Sequence, residues 1–158
     1  MSTAIIYTSS HGTTEKIANM IKKEIQQDSV DIIKLKLKNL SDLKNYDQII
    51  IGTSIHAGKI SRVMQKFINA NHDMLSNKKI GLYLCCMYEG ETAKNQLYNA
   101  FPPELCEKAI ATEILGGEFL FEKMNFFERA IVKKISGTKE SISKLKINNI
   151  KKFANAFN

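Results

Sequence analysis

At 158 residues, 44% hydrophobic and 25% charged, the chain has the length and composition of one ordered domain with a real core. No internal repeat or low-complexity tract is present, and no uncharged stretch approaches the about 18 residues that a membrane-spanning helix needs. The net charge is +7, of which residues 124–158 supply +6 through Arg129, Lys133, Lys134, Lys139, Lys144, Lys146, Lys151 and Lys152 against Glu128 and Glu140.

The elements follow in chain order. Ala4–Thr8 is a short apolar run with no basic segment before it, so a buried strand is expected and a signal peptide is not. Thr14–Gln27 has helical spacing, with Ile17, Ala18, Met20, Ile21 and Ile25 on one stripe and Lys16, Lys22, Lys23 and Glu24 opposite. Val30–Leu37 alternates apolar and charged residues, the pattern of a less buried strand. Asp47–Thr53 contains Ile49, Ile50 and Ile51 and predicts a central parallel strand. Arg62–His72 is helical, with Val63, Phe67 and Ile68 inward. Lys79–Met87 is a fourth strand, and Glu91–Phe101 a helix stopped by Pro102 and Pro103. Ala109–Leu115 is a fifth strand closed by Gly116 and Gly117. Asn125–Ile135 forms an amphipathic helix with Phe127, Ile131 and Ile135 on one stripe, and a last helix covers Asn148–Phe157.

Five strands alternating with helices predict an α/β three-layer sandwich, a parallel sheet covered on both faces within one domain spanning 1–158. Right-handed crossovers and the chain length favour the strand order 2-1-3-4-5. Ligands in such sheets sit beyond the carboxyl ends of the strands at the switch point, so the loops after strands one, three and four carry the candidate chemistry.

The first loop, Thr8–Glu15, turns a strand into a helix through small and hydroxyl-bearing residues. Free N–H groups at the helix start bind anions, Ser9, Ser10, Thr13 and Thr14 add hydroxyls, and Gly12 lets the backbone approach a phosphate closely. No lysine or arginine lies in the loop, which predicts a phosphate held as an anchor without a cation. The alternative is an ordinary strand-to-helix turn with a threonine cap. The glycine-lysine pattern of a P-loop and the G-x-G-x-x-G of a dinucleotide fold are both absent, and a phosphoacceptor domain needs an aspartate where Thr53 stands.

Cys85, Cys86 and Cys106 have no metal-type spacing, and no metal site is expected. Cys85 and Cys86 point to opposite faces of a strand and read as buried hydrophobes in a reducing compartment, with a redox-active thiol as the alternative. The basic terminal third predicts an anionic partner (a membrane surface, an acidic protein or a small anion) or simply solvated lysines. Aromatic residues do not interleave with the lysines, so no nucleic acid is expected. A cytoplasmic protein with peripheral contact at the inner membrane face is the expected localisation.

The segment Tyr7–Glu15 resembles the flavodoxin phosphate loop S/T-x-T-G-x-T-E: Gly12, Thr14 and Glu15 match, and His11 stands where threonine is commoner. The second loop, Ile51–Lys59, is similar to the I-G-A-S-I-x-x-G segment of menaquinone-dependent protoporphyrinogen oxidases, which are flavodoxin-fold enzymes. The likeness extends to Tyr46-Asp47, Phe67-Ile68, Gly116-Gly117 and Met124–Gly137. It implies flavin mononucleotide (FMN) as cofactor, with Ser9, Ser10, His11, Gly12, Thr13 and Thr14 around the phosphate and Thr53, Ser54, Ile55, His56, Ala57 and Gly58 against one face of the isoalloxazine. Met87, Tyr88 and Gly90 would lie on the other side, Tyr88 stacked on the ring, with core packing as the alternative for Tyr88. It further implies that the Gly58 peptide turns toward flavin N5 and that His56 or Lys59, as the catalytic residues, stabilises a reduced flavin anion as a cation, the alternatives being a surface-loop histidine and a solvated lysine at a helix start. The implied activity is an FMN-dependent oxidoreductase passing electrons from a porphyrinogen or similar small molecule to a quinone. The alternative is a one-electron carrier between redox partners. The segment Glu89–Lys108 is shorter and more acidic than the insertion that the oxidases carry there.

Overall fold

The computed structural model describes residues 1–36 and 43–158. Its elements are β1 (Ser2–Tyr7), α1 (Thr13–Glu24), β2 (Ser29–Lys34), β3 (Gln48–Ser54), α2 (Arg62–Ala70), α3 (His72–Ser76), β4 (Lys79–Cys85), α4 (Gly90–Ala100) and α5 (Pro103–Lys108). They continue with β5 (Ala111–Ile114), β6 (Glu118–Phe119), α6 (Phe126–Ser136), β7 (Ile142–Ser143) and α7 (Ile147–Asn155).

Five strands form one parallel sheet in the order β2-β1-β3-β4-β5, as the alternation of elements predicts. The central strands are buried on both faces because helices cover both, which is why they read as continuous apolar runs. β2 lies at an edge, and its alternation follows from having a half-exposed side. Leu35 is buried just beyond it, its N–H bonded to Tyr7 O at 2.8 Å, whereas Leu37, at the end of the predicted strand, falls outside the described residues.

Side chains alternate across the sheet to make two cores. On one face Ile6, Ile49, Ile51, Leu82 and Leu84 meet Met64, Phe67 and Ile68 of α2, Leu75 of α3, Leu97 of α4 and Leu105 of α5. On the other, Ile5, Ile50 and Tyr83 meet Ile17, Ala18 and Ile21 of α1 and Ile150, Phe153 and Phe157 at the C-terminus. The second face has two tight fits. The Tyr83 ring lies over Gly52, its register partner, and the Phe157 ring lies over Gly81. The Tyr83 hydroxyl then donates to Thr14 O, 3.1 Å away in the first turn of α1.

Three features differ from the sequence expectation. Pro103 opens α5 where the prolines read only as a stop: proline suits the first helical turn, whose N–H has no intrahelical partner, and Leu105 anchors the helix in the core. β6 and β7 pair antiparallel and bracket an excursion that contains α6. The helix α6 forms as its periodicity predicts, with an Asn125–Glu128 capping box and Gly137 as its left-handed terminus, yet it buries none of its residues. Phe127, Ile131 and Ile135 form one stripe that is 77%, 58% and 63% exposed, so the stripe faces away from both cores.

Candidate functional site

Parallel pairing puts the loops after β1, β3 and β4 at one edge of the sheet, and β1 is where the order reverses between β2 and β3. The loop after β1 reaches α1 through Gly12, whose φ of 95° lies in the region that favours glycine. The Gly12 N–H donates to Ser9 Oγ at 2.9 Å, which folds the loop back on itself. The next amides, of Thr13, Thr14 and Glu15, are the first-turn donors that a helix leaves without an intrahelical acceptor. They point out of the positive end of the α1 dipole. Ser10 is exposed beside them, and His11 and Gly12 are half-buried.

Two expected phosphate ligands are placed differently. Thr14 is 1% exposed, with its Oγ1 buried beside the Cys85 thiol and lacking a well-formed hydrogen bond, so its side chain faces the core and only its amide faces the loop. Thr13 Oγ1 donates to Glu118 Oε2 at 3.2 Å. Glu118 also accepts from Lys16 Nζ and Ser143 Oγ, each at 2.8 Å, tying β6 and β7 to α1.

The loop itself holds no lysine or arginine, but a cation reaches it from elsewhere in the chain. Lys123, in a 3-10 turn over Phe121–Lys123, puts its Nζ 3.2 Å from where a Cβ on Gly12 would stand. His11 is engaged from the same excursion, its Nε2 3.2 Å from Glu128 Oε2. Sequence reading missed Lys123, Glu118 and Glu128 at this site, since only Gly116-Gly117 hints that the chain turns back there.

In the second loop Thr53 is fully buried, and its hydroxyl lies 3.1 Å from Thr8 Oγ1. Ser61 Oγ donates to Thr8 Oγ1 at 3.2 Å and caps α2 by accepting from Met64 N. These hydroxyls bind the first two loops to each other, so Thr53 acts as a brace under the site. His56 and Lys59 close a two-residue hairpin with backbone bonds of 2.9 and 3.1 Å. Ala57 (φ 49°) and Gly58 (φ 76°) both occupy the left-handed region that a type I′ turn requires. Ser54 is half-buried, with its Oγ 3.1 Å from His56 Nε2, and Ile55 packs against the core beneath the exposed hairpin.

The His11 and His56 rings lie 5.6 Å apart. Desolvation, then the neighbouring His11, hold His56 below its ordinary value of 6.5, with Glu128 opposing. This biases His56 away from the cationic role expected of it. Lys59, exposed on the same hairpin, keeps that role open. On the third loop Tyr88 is 47% exposed, which sets aside core packing as its alternative. Met87 is half-buried against Gly117, and Gly90 (φ 61°) starts α4. Burial pushes the Cys85 thiol up to about 12, which removes it as a nucleophile and decides for the buried-hydrophobe reading.

A flavodoxin-domain family model matches residues 4–145, which include all three loops and the whole excursion. The chain belongs to this flavodoxin-domain family. Flavodoxin 1 from Bacillus cereus superposes with a TM-score of 0.61 at 18% identity, covering 99% of this chain and 97% of that one. A flavodoxin of Streptococcus pneumoniae TIGR4 gives 0.62 at 16% identity, with the same coverages. These likenesses confirm the flavodoxin-like fold. Among curated proteins the chain is similar to a Leishmania major protein named protoporphyrinogen IX dehydrogenase [quinone], 21% identical over 136 residues. That match takes in 81% of this flavodoxin-domain chain and spans only 59% of the length of the relative.

The Glu118 bridge makes a direct prediction. Burial opposes its charge, but the hydrogen bonds from Lys16, Ser143 and Thr13 outweigh burial and hold the carboxyl below its ordinary value of 4.5. A depressed folded-state pKa contributes stability that is present above pH 4.5 and lost as pH falls through the lower folded value. Glu118→Gln is expected to be less stable than the parent at neutral pH, with the gap closing in acid. Urea midpoints across that range check this, and a gap that stays constant with pH refutes it.

Proposed function

We propose that the chain is a single-domain FMN-binding redox protein that works as an oxidoreductase resembling quinone-linked protoporphyrinogen dehydrogenases. One observation carries the FMN reading. The acceptor-free amides at the start of α1 and the Ala57–Gly58 hairpin share one edge of the sheet, an arrangement that suits an anionic tail at one end and a flat ring at the other. The residues fit the group. Gly12 permits close approach, Ser10 is exposed on the same loop, and exposed Tyr88 stands on the loop after β4. When bound, the flavin supplies the electron-accepting and electron-donating chemistry.

The chain's own residues would orient and bias it. The Ala57–Gly58 peptide, in a turn that glycine relaxes at low cost, would offer either its C=O or its N–H to the ring edge. Lys59 would favour negative charge there, and Ser54 with His56 would hold the hairpin in place. The quinone-linked reading draws support from the Leishmania relative and from Lys59 on the hairpin and Lys123 beside Gly12, which suit a substrate with carboxylate arms. The exposed apolar stripe of α6, flanked by Arg129, Lys133 and Lys134, supports contact with an anionic membrane surface where a lipid quinone would be met. Among the described residues no helix is long and apolar enough to cross a membrane. A one-electron carrier is the second reading, favoured by the short acidic segment after β4, where Glu89 and Glu91 are both exposed.

Reconstitution with FMN followed by gradual photoreduction separates the two. The oxidoreductase is expected to pass to the fully reduced form in one stage and to be reoxidised by a menaquinone analogue. A carrier stops at the one-electron level, and a chain that takes up no FMN defeats both readings.

A further inference from the structure

We propose that the excursion between β6 and β7 is a strap closing the phosphate end of the site, and that the Lys123 ammonium is the cation that grips the phosphate. The proposal rests on the FMN reading above. Three contacts run from β6 and this excursion to consecutive residues of the first loop. Glu128 meets His11 at 3.2 Å, Lys123 lies over Gly12, and Glu118 accepts from Thr13 at 3.2 Å. Lys16, one turn further along α1, is drawn to the same Glu118.

The charges near Gly12 are unbalanced. The first turn of α1 already presents the positive end of a helix dipole, worth roughly half an elementary charge. The fold adds the Lys123 ammonium, which makes no hydrogen bond or salt bridge among the described residues. The nearby carboxylates make their hydrogen bonds elsewhere, Glu122 keeping only a through-space attraction to Lys123: Glu118 bonds Thr13, Lys16 and Ser143, Glu122 the Ser141 hydroxyl at 2.7 Å, and Glu128 His11 and its own helix cap. Donors from two distant parts of the chain thus approach Gly12, the first-turn amides of α1 and the Lys123 ammonium. A dianionic phosphate monoester resolves the imbalance, and an ammonium on a flexible stem suits it as a point charge.

Titration calorimetry with FMN and with riboflavin, which lacks the phosphate, tests this on the parent, Lys123→Met and Lys123→Arg proteins. Lys123→Met is expected to weaken FMN about tenfold and leave riboflavin unchanged, in keeping with the loss of one charge-assisted contact. Lys123→Arg is expected to stay within about threefold of the parent. Added salt is expected to weaken FMN binding more in the parent than in Lys123→Met. Equal losses for both ligands make Lys123 merely structural and overturn the proposal, as does an unchanged FMN affinity. A parent protein that binds riboflavin and FMN equally removes the phosphate grip altogether, and one that binds neither removes the FMN reading itself.

Discussion

Gly52→Ala is expected to destabilise the protein by about 4 kcal/mol, a large part of the about 5–15 kcal/mol that a domain has in total. A Cβ at this position would stand 1.9 Å from Tyr83 Cζ and 2.2 Å from its hydroxyl oxygen. The ring has no room to yield, because Tyr83 is fully buried and Phe153 packs edge-on at 6.0 Å between centroids. Moving it would break the hydroxyl's bond to Thr14 O and leave that group buried without a partner. The effect therefore combines overpacking, typically about 1–3 kcal/mol, with a lost buried hydrogen bond of similar size. Since Thr14 lies in the first turn of α1, FMN uptake should weaken together with stability. Urea denaturation measures the loss, and a double-mutant cycle assigns it: in a Tyr83→Ala background Gly52→Ala should cost under about 1 kcal/mol. A loss just as large without the ring would show that the clash is not the cause.

The sheet was legible because burial on both faces leaves a plain trace in sequence. Ile49-Ile50-Ile51 and Lys79–Met87 read as strands, and alternation marked β2 as less buried. The three loops followed from the sheet, since parallel topology puts every candidate at one edge. What escaped was contact at long range. His11 and Glu128 are 117 residues apart, and Thr13 and Glu118 are 105 apart. No spacing rule joins such pairs, so the first loop read as free of cations while Lys123 approached it from outside. Side-chain direction was also hidden. Thr53 and Thr14 carry the right hydroxyls for a ligand, but Thr53 turns its own to Thr8 and Thr14 turns its own inward. The stripe Phe127, Ile131 and Ile135 predicted a helix correctly, because periodicity reports a helix but not what covers it.

Gly12→Val is expected to lower FMN affinity by about a hundredfold or more while the fold persists. At φ 95° a β-branched residue is strained by about 1–3 kcal/mol, which the loop relieves by rotating its backbone. That rotation swings the Thr13 and Thr14 amides away from a common focus, so donors aligned for one anion would no longer converge. The new side chain would also crowd Lys123 Nζ, only 3.2 Å from the Cβ position, and push the ammonium off the loop. Strain alone does not explain a binding loss, and Gly137 provides the control. It has φ 68° at the end of α6 with nothing within 4 Å of its Cβ position. Gly137→Val should incur similar strain, lower the melting temperature modestly and leave FMN affinity intact. Calorimetry with both variants decides the matter. If Gly12→Val binds FMN as the parent does, the phosphate is not at the start of α1. If both variants lose affinity alike, the loss is global and the loop has no special part in it.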